Sequence, residues 1–343
     1  MDFHAVSPLI NAAIFGLAAI AVWIAGTKLA RYADAIAEVT GIGREFLGIL
    51  LLGGITSLPE LAVATTATLQ GTPQLSVNDV LGSASINLVV LAVADALSGR
   101  DALTSIPGSP ILMVQGVLGM MVLAFAAAPA VTGDVLILGM GAWSWVMLGS
   151  YIVAIRLMAS SQANRSWTAA GNVAAEHRAA SGQDSDQPLR TLVLQTVAVA
   201  AVIVTAGFLL ARTGEALAEQ TGLGTSFFAA VFLALATSLP EWSTVIAATK
   251  LHRYEMAVSD VFGTNLFNVM IIVGVDALHG GDPVMREAGG FASFGATLAL
   301  VLTSFLLVGM LESRNRTVLR MGWDSIAVLL GYLSGLFVLY LLR

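Results

Sequence analysis

The residues most able to do chemistry occur twice, in the same order. Thr56-Ser57-Leu58-Pro59-Glu60 returns as Thr237-Ser238-Leu239-Pro240-Glu241. Downstream of the first copy, Asp79, Ser83 and Asn87 are spaced by four, which puts them on one face of a helix. Asp260, Thr264 and Asn268 repeat that face after the second copy. Thr56 and Thr237 each stand four residues before their glutamate, again on a shared face. Together these residues offer two carboxylates, several hydroxyls and two amide oxygens. All are hard oxygen donors, the kind that suits Ca2+ and Na+. The set holds no imidazole and the chain holds no Cys, which argues against Zn, Cu or Fe. Mg2+ is disfavoured because it gives up its waters reluctantly.

The glutamates lie in apolar stretches, about 14 residues into one and about 16 into the other. At about 1.5 Å per residue that is roughly 20 Å along a helix, deep in hydrocarbon if the stretch spans a bilayer. A carboxylate there costs about 3 kcal/mol on insertion scales. Two of them would repel, and a divalent cation between them would remove the repulsion. Pro59 and Pro240 precede the glutamates. Each breaks an i→i−4 hydrogen bond and predicts a kink, and a freed carbonyl inside a membrane needs protein, water or an ion.

The elements that must hold these residues follow from composition. Only 11% of the 343 residues are charged and 57% are hydrophobic, with mean hydropathy +0.85. A soluble globule could not hide that much apolar surface. This excludes a soluble enzyme and a disordered chain, and a net charge of −6 leaves no basic footprint for nucleic acid. Ten stretches are long and apolar enough to span a bilayer: 8–29, 46–69, 77–97, 108–129, 133–155, 190–211, 225–249, 257–278, 290–311 and 323–342. The polar segment 157–189 separates them into halves 1–156 and 190–343.

Residues 56–99 align without a gap on 237–280, at an offset of 181, with identities at 16 of 44 positions. The matches fall on Asp79, Gly82, Asn87 and Asp95 as well as on the Pro-Glu motif. Five spans per half is an odd number, so the second half must be inverted relative to the first. The expected fold is therefore all-α and integral to the membrane: ten transmembrane helices in two inverted-topology five-helix repeats, a plan of secondary transporters. Lys and Arg set the orientation. With both termini outside, thirteen of the 16 basic residues fall on the inner side and only Arg212, Arg286 and Arg343 outside. The linker 157–189 is then cytoplasmic, and the membrane is the cell (inner) membrane.

The duplicated motifs resemble the α-repeats of the Ca2+/cation antiporter superfamily, and within it the Na+/Ca2+ exchanger family. The family's G-T-S-L-P-E and G-S-N-x-x-N patterns read here as Gly54 to Glu60 with Gly82 to Asn87, and as Ala236 to Glu241 with Gly263 to Asn268. The α-repeats cover about 45–99 and 225–280. By position, the resemblance implies that Glu60 and Glu241 are the central Ca2+ ligands, with Asn87 and Asn268 completing a group of four. It implies backbone oxygens from Thr56 and Thr237, and flanking Na+ sites lined by Ser83 and Thr264. Ser57 and Ser238 add hydroxyls beside them. It further implies Ca2+/Na+ antiport, no enzymatic reaction and no resident cofactor, with the first and sixth helices sliding past the other eight. The partners are the two ions and the lipid bilayer. The sequence does not fix the oligomeric state, and a monomer is compatible with it.

The chain departs from the pattern at Ile55, Ala236, Ala84 and Thr264. These departures keep open a related antiporter coupled to H+ or K+, or carrying another divalent cation. Blander roles compete for each residue. The hydroxyls could back-bond within helices and the asparagines could bridge helices. Asp79 and Asp260, read as opening their helices, could stabilise a first turn. Asp95 and Asp276, near the far ends of the same helices, could tether them.

Overall fold

The computed structural model describes residues 3–40, 53–98, 110–163, 187–221, 225–312, 317–318 and 321–342. The long helices among these are α1 (Pro8–Thr40), α4 (Pro73–Ser98), α5 (Pro110–Ala127), α7 (Ala142–Ala163), α8 (Leu189–Thr221), α12 (Tyr254–His279), α13 (Val284–Glu312) and α14 (Trp323–Leu342). Shorter helices fill the breaks. They are α2 (Gly53–Thr56), α3 (Leu58–Leu69), α6 (Pro129–Thr132), α9 (Thr225–Phe228), α10 (Ala234–Thr237) and α11 (Leu239–Lys250), with a π-helical turn at Ala229–Leu233 between α9 and α10. Among the described residues, seven helices are long and apolar enough to cross a membrane. The bent pair Ser226–Thr237 and Leu239–Lys250 makes an eighth candidate, and α7 is a shorter apolar helix.

The expected stretch 133–155 is corrected: its helix begins only at Ala142. The apolar run before it folds into an antiparallel hairpin, β1 (Leu136–Ile137) with β2 (Met140–Gly141). The two-residue loop is Leu138-Gly139, with φ of 50° and 84°. Positive φ at both positions marks a type I′ turn, a conformation glycine takes without strain. A second hairpin, β3 (Thr317–Val318) with β4 (Met321–Gly322), stands at the same offset of 181 residues. The all-helical fold thus carries two small strand pairs. The stretches 8–29 and 190–211 are each part of a 33-residue helix. In α13, Gly289 at φ 64° and ψ −153° interrupts the helix just before the predicted start at 290. The N-terminal part of stretch 46–69, most of the linker 157–189, and Arg44, Arg100, Arg165, Arg178, Arg314, Arg316, Arg320 and Arg343 lie outside the described residues.

Two helices make the centre. The apolar windows of α4 and α12 are 78% and 72% buried, against 28% for both α1 and α8. Leu88 and Leu91 of α4 pack with Met256, Val261 and Phe262 of α12 and with Leu302 and Leu306 of α13. Val77, Val80 and Leu81 pack with Leu266 and Ile272, and with Leu123 and Met147. Helices α1 and α8 lie along each other at the edge of this core, which they enter with Ala25, Leu29, Ala33 and Ile203, and α1 also packs on α11. Their outer faces expose Leu9, Leu17, Ile20, Leu194 and Val197, as lipid contact requires. One ion-pair cluster ties the end of α1 to the core: Arg253 Nε lies 2.8 Å from Asp34, and Arg253 Nη2 lies 3.5 Å from Glu38.

Asp95 and Asp276 act as tethers, the blander of the roles open to them from sequence. Asp276 accepts hydrogen bonds from the Gly141 N–H at 2.7 Å, the Val284 N–H at 2.8 Å and the Ser144 hydroxyl. Asp95 accepts the Gly322 N–H at 2.7 Å. Each carboxylate thus holds the hairpin of the other half, at equivalent glycines.

Candidate functional site

Both Pro-Glu motifs sit at helix breaks. Ser57 (φ −79°, ψ 0°) separates α2 from α3, and Ser238 (φ −80°, ψ 0°) separates α10 from α11. Pro59 and Pro240 fall in the first turn of the second half-helix, where a missing N–H costs least. Neither proline has an N–H to offer the carbonyl four residues back, at Ile55 and Ala236. The axes on either side of Ser238 differ by 46°. The break puts Glu60 and Glu241 in the first turn of α3 and α11, close to a helix N-terminus. The helix dipole there offsets at most about 2 kcal/mol of a carboxylate's burial cost. That is less than the roughly 3 kcal/mol an ionised group pays inside a bilayer.

All ten predicted site residues are fully buried: Thr56, Ser57, Glu60, Ser83, Asn87, Thr237, Ser238, Glu241, Thr264 and Asn268 each have 0% exposure. The fold brings six of them together across the halves: Thr56, Glu60 and Ser83 of the first with Thr237, Glu241 and Thr264 of the second. Ser83 of α4 lies 3.2 Å from the Thr237 hydroxyl, and its own hydroxyl donates to Ala234 O at 3.4 Å. The equivalent pair, Thr56 and Thr264, has its hydroxyls 3.5 Å apart. The Glu60 carboxylate lies within electrostatic reach of Glu241 and Asp79, with the Thr237 hydroxyl beside it. Glu241 lies within reach of Asp260 and Asp79, with the Thr56 hydroxyl beside it. None of the four glutamate oxygens makes a hydrogen bond. The Asn87 Oδ1, both amide atoms of Asn268 and the Ser238 hydroxyl are also buried without partners. Buried polar groups are nearly always paired, so this concentration marks a place built for something else to bind.

The two serines of the motifs differ. Ser57 donates back to Gly53 O at 2.8 Å, in the preceding half-helix α2, whereas Ser238 has no partner. Asp79 and Asp260 do not open their helices. Those begin at Pro73 and Tyr254, so both carboxylates lie in the second turn and are fully buried. Asp79 accepts the Thr237 hydroxyl at 3.4 Å, and Asp260 accepts the Thr244 hydroxyl. The missed signal was Pro73, a residue favoured at a first helical position. Asn265 and Thr244 also belong to this region and were not singled out from sequence. Asn265 sits within the second motif; Thr244 carries no pattern that distinguishes it. Among the described residues no group of three or more His, Asp and Glu gathers as a metal cluster. A cation here would be shared between two carboxylates and neutral oxygens, a set that fits Ca2+ or Na+ better than a transition metal.

The profile of the sodium/calcium exchanger protein family matches residues 10–170 and 191–341, nearly the whole chain and both motif copies. The chain belongs to the sodium/calcium exchanger protein family. Like other members, it is an integral membrane protein of a cation antiporter family. Its relatives include the "Putative antiporter CaxA" of Alkalimonas amylolytica, 24% identical over 294 residues, covering 83% of this chain and 86% of that one. The "Inner membrane protein YrbG" of Escherichia coli is 26% identical over 256 residues, covering 73% and 74%. The fold matches that of the sodium-calcium exchanger NCX_Mj in crystals soaked with Na+ and Sr2+. The TM-score is 0.69 at 18% identity, over 96% of this chain and 99% of that one. NCX_Mj crystals soaked with Na+ and Ca2+ match equally, at 0.69.

Proposed function

We propose that this family member is a secondary active antiporter exchanging Ca2+ for Na+ through the site between Glu60 and Glu241. One observation carries the reading. Two fully buried glutamates, with no hydrogen bond to any of four carboxylate oxygens, lie within electrostatic reach of each other. A divalent cation supplies the missing charge. Several Na+ ions at the same oxygens supply it in turn, so the two cargoes exclude each other. In this reading Glu60, Glu241, Asn87 and Asn268 hold Ca2+. Thr56, Thr237, Ser57, Ser238, Ser83 and Thr264 add backbone and hydroxyl oxygens and line the flanking Na+ positions.

The proposal includes ten spans in two inverted repeats. The paired hairpins, the cross-held carboxylates Asp95 and Asp276, and the hydroxyl pairs at one constant offset all support it. It places both termini outside the cell membrane and the linker 157–189 in the cytoplasm, on the distribution of Lys and Arg. Access switches as α1 and α8 slide along the core. Those helices are only 28% buried, and each packs on a half-helix that carries a glutamate, α1 on α11 and α8 on α3. A Cβ on Gly26 of α1 would meet the Ser243 side chain and, at 3.1 Å, the Pro240 carbonyl. One on Gly207 of α8 would meet the Pro59 ring at 2.6 Å. The moving helices thus touch the backbone that carries each glutamate.

A second reading, coupling to H+ or K+ or transport of another divalent cation, draws on Asp79 and Asp260. These add two fully buried carboxylates beside the glutamates. Isothermal titration of the purified protein with Ca2+ separates the readings. Ca2+ binding displaced by Na+ but not by K+ or by a fall in pH is the result expected for Ca2+/Na+ exchange. Displacement by protons or K+ alone selects the second reading.

A further inference from the structure

We infer that Asn265 is a positioning residue that fixes which end of the Asn87 amide faces the cation. Its repeat mate is Ala84, which leaves Asn268 without the same control. The inference rests on the proposed role of Asn87 as a cation ligand. The donor logic starts from a group that cannot be reversed. The Ala84 carbonyl only accepts, so the Asn265 amide group 3.0 Å away must be Nδ2. Asn265 Oδ1 then faces Asn87, 3.3 Å away, and the Asn87 atom facing it must be Nδ2. Asn87 Oδ1 is left pointing elsewhere, buried and with no hydrogen-bond partner. Reversing either amide would set two acceptors or two donors against each other. One backbone carbonyl therefore holds two side-chain amides in register and leaves one amide oxygen for an ion.

The other half lacks this device. Asn268 repeats Asn87, and the residue that should control it is at position 84, where the side chain is a methyl group. Both amide atoms of Asn268 are buried and unpartnered. The site therefore has one amide oxygen set in advance and one that can turn. The fixed oxygen favours the ion that needs the full ring. The free amide can move away when smaller charges occupy the site.

The test is calorimetric binding of Ca2+, and in parallel of Na+, to the purified full-length protein, for wild type, Asn265→Ala, Asn87→Ala and the double variant. Changing a residue that orients a ligand costs about 10- to 100-fold in metal affinity. Asn265→Ala is expected to weaken Ca2+ binding by about that factor. On the Asn87→Ala background the same change is expected to add less than about twofold, because a residue acting through Asn87 has nothing left to orient. Unchanged affinity in Asn265→Ala, or losses that multiply in the double variant, would overturn the inference. Binding of neither ion by the wild type would overturn the reading of the site itself, and this inference with it. A crystal structure of the wild type with Ca2+ gives a check independent of how the variants fold. Asn87 is expected roughly 2.3–2.6 Å from the ion, with Asn265 still bonded to Asn87 and Ala84. A Ca2+ sphere without Asn87, or Asn265 turned away from it, would contradict the proposal.

Discussion

Glu60 and Glu241 set two demands against each other. Without a cation they are buried and repel each other; in the proposed reading a cation between them takes both as ligands. Glu60→Gln removes one charge and keeps the shape. It is expected to abolish Na+-displaceable Ca2+ binding while leaving the ion-free protein at least as stable as wild type, because a repulsion is relieved. Thermal unfolding in detergent checks this. Ca2+ at about 100 times its dissociation constant should stabilise the wild type by about 2.7 kcal/mol and the variant by nothing. The residue types and spacings of this site were legible in the sequence, since duplication of Pro-Glu and of the four-residue face cannot be incidental. The pairing of Asn265 with Asn87 and Ala84 was not. It joins residues from two halves of the chain, and no local pattern reports which way an amide points. The turning of the Ser57 hydroxyl back to Gly53 of α2 was hidden too, because Ser57 and Ser238 are identical in type and motif position.

At the scale of elements, the site depends on broken helices and on close approach by α1 and α8. The prolines announced the breaks, whereas the approach shows only in three dimensions. Gly207→Ala would drive a methyl group into the Pro59 ring. Overpacking of this kind costs about 1–3 kcal/mol. A lower melting temperature and slower Ca2+ flux are expected, whereas Gly16→Ala, which meets nothing within 4 Å, should leave both unchanged. The hairpin of β1 and β2 was not legible, because Val135-Leu136-Ile137-Leu138 reads as the start of a span. What stops it is the Leu138-Gly139 turn and the capture of Gly141 by Asp276, a residue far along the chain. Asp276→Ala would orphan two backbone N–H groups and a hydroxyl, each costing about 1–3 kcal/mol when buried. A large loss of thermal stability is expected, with Ca2+ affinity of the remaining folded protein within about twofold of wild type.

At the scale of the molecule, a buried pair of central helices carries the site while less buried helices cover it. The composition already required a membrane protein, and the repeat required two related halves. The fold agrees with the first in class, since among the described residues seven helices are long and apolar enough to cross a membrane. Orientation comes from Lys and Arg alone, and the absence of Cys makes it simple to check. A single cysteine at Ser185→Cys should react only with a reagent on the cytoplasmic side, and one at Ser7→Cys only with a reagent outside. The most direct measurement of the central claim is uptake of radioactive Ca2+ into Na+-loaded proteoliposomes, with and without an outward Na+ gradient, for wild type and Glu60→Gln. The account predicts uptake that needs the gradient and vanishes in the variant. Wild-type uptake that ignores Na+, or uptake that survives in Glu60→Gln, would contradict it.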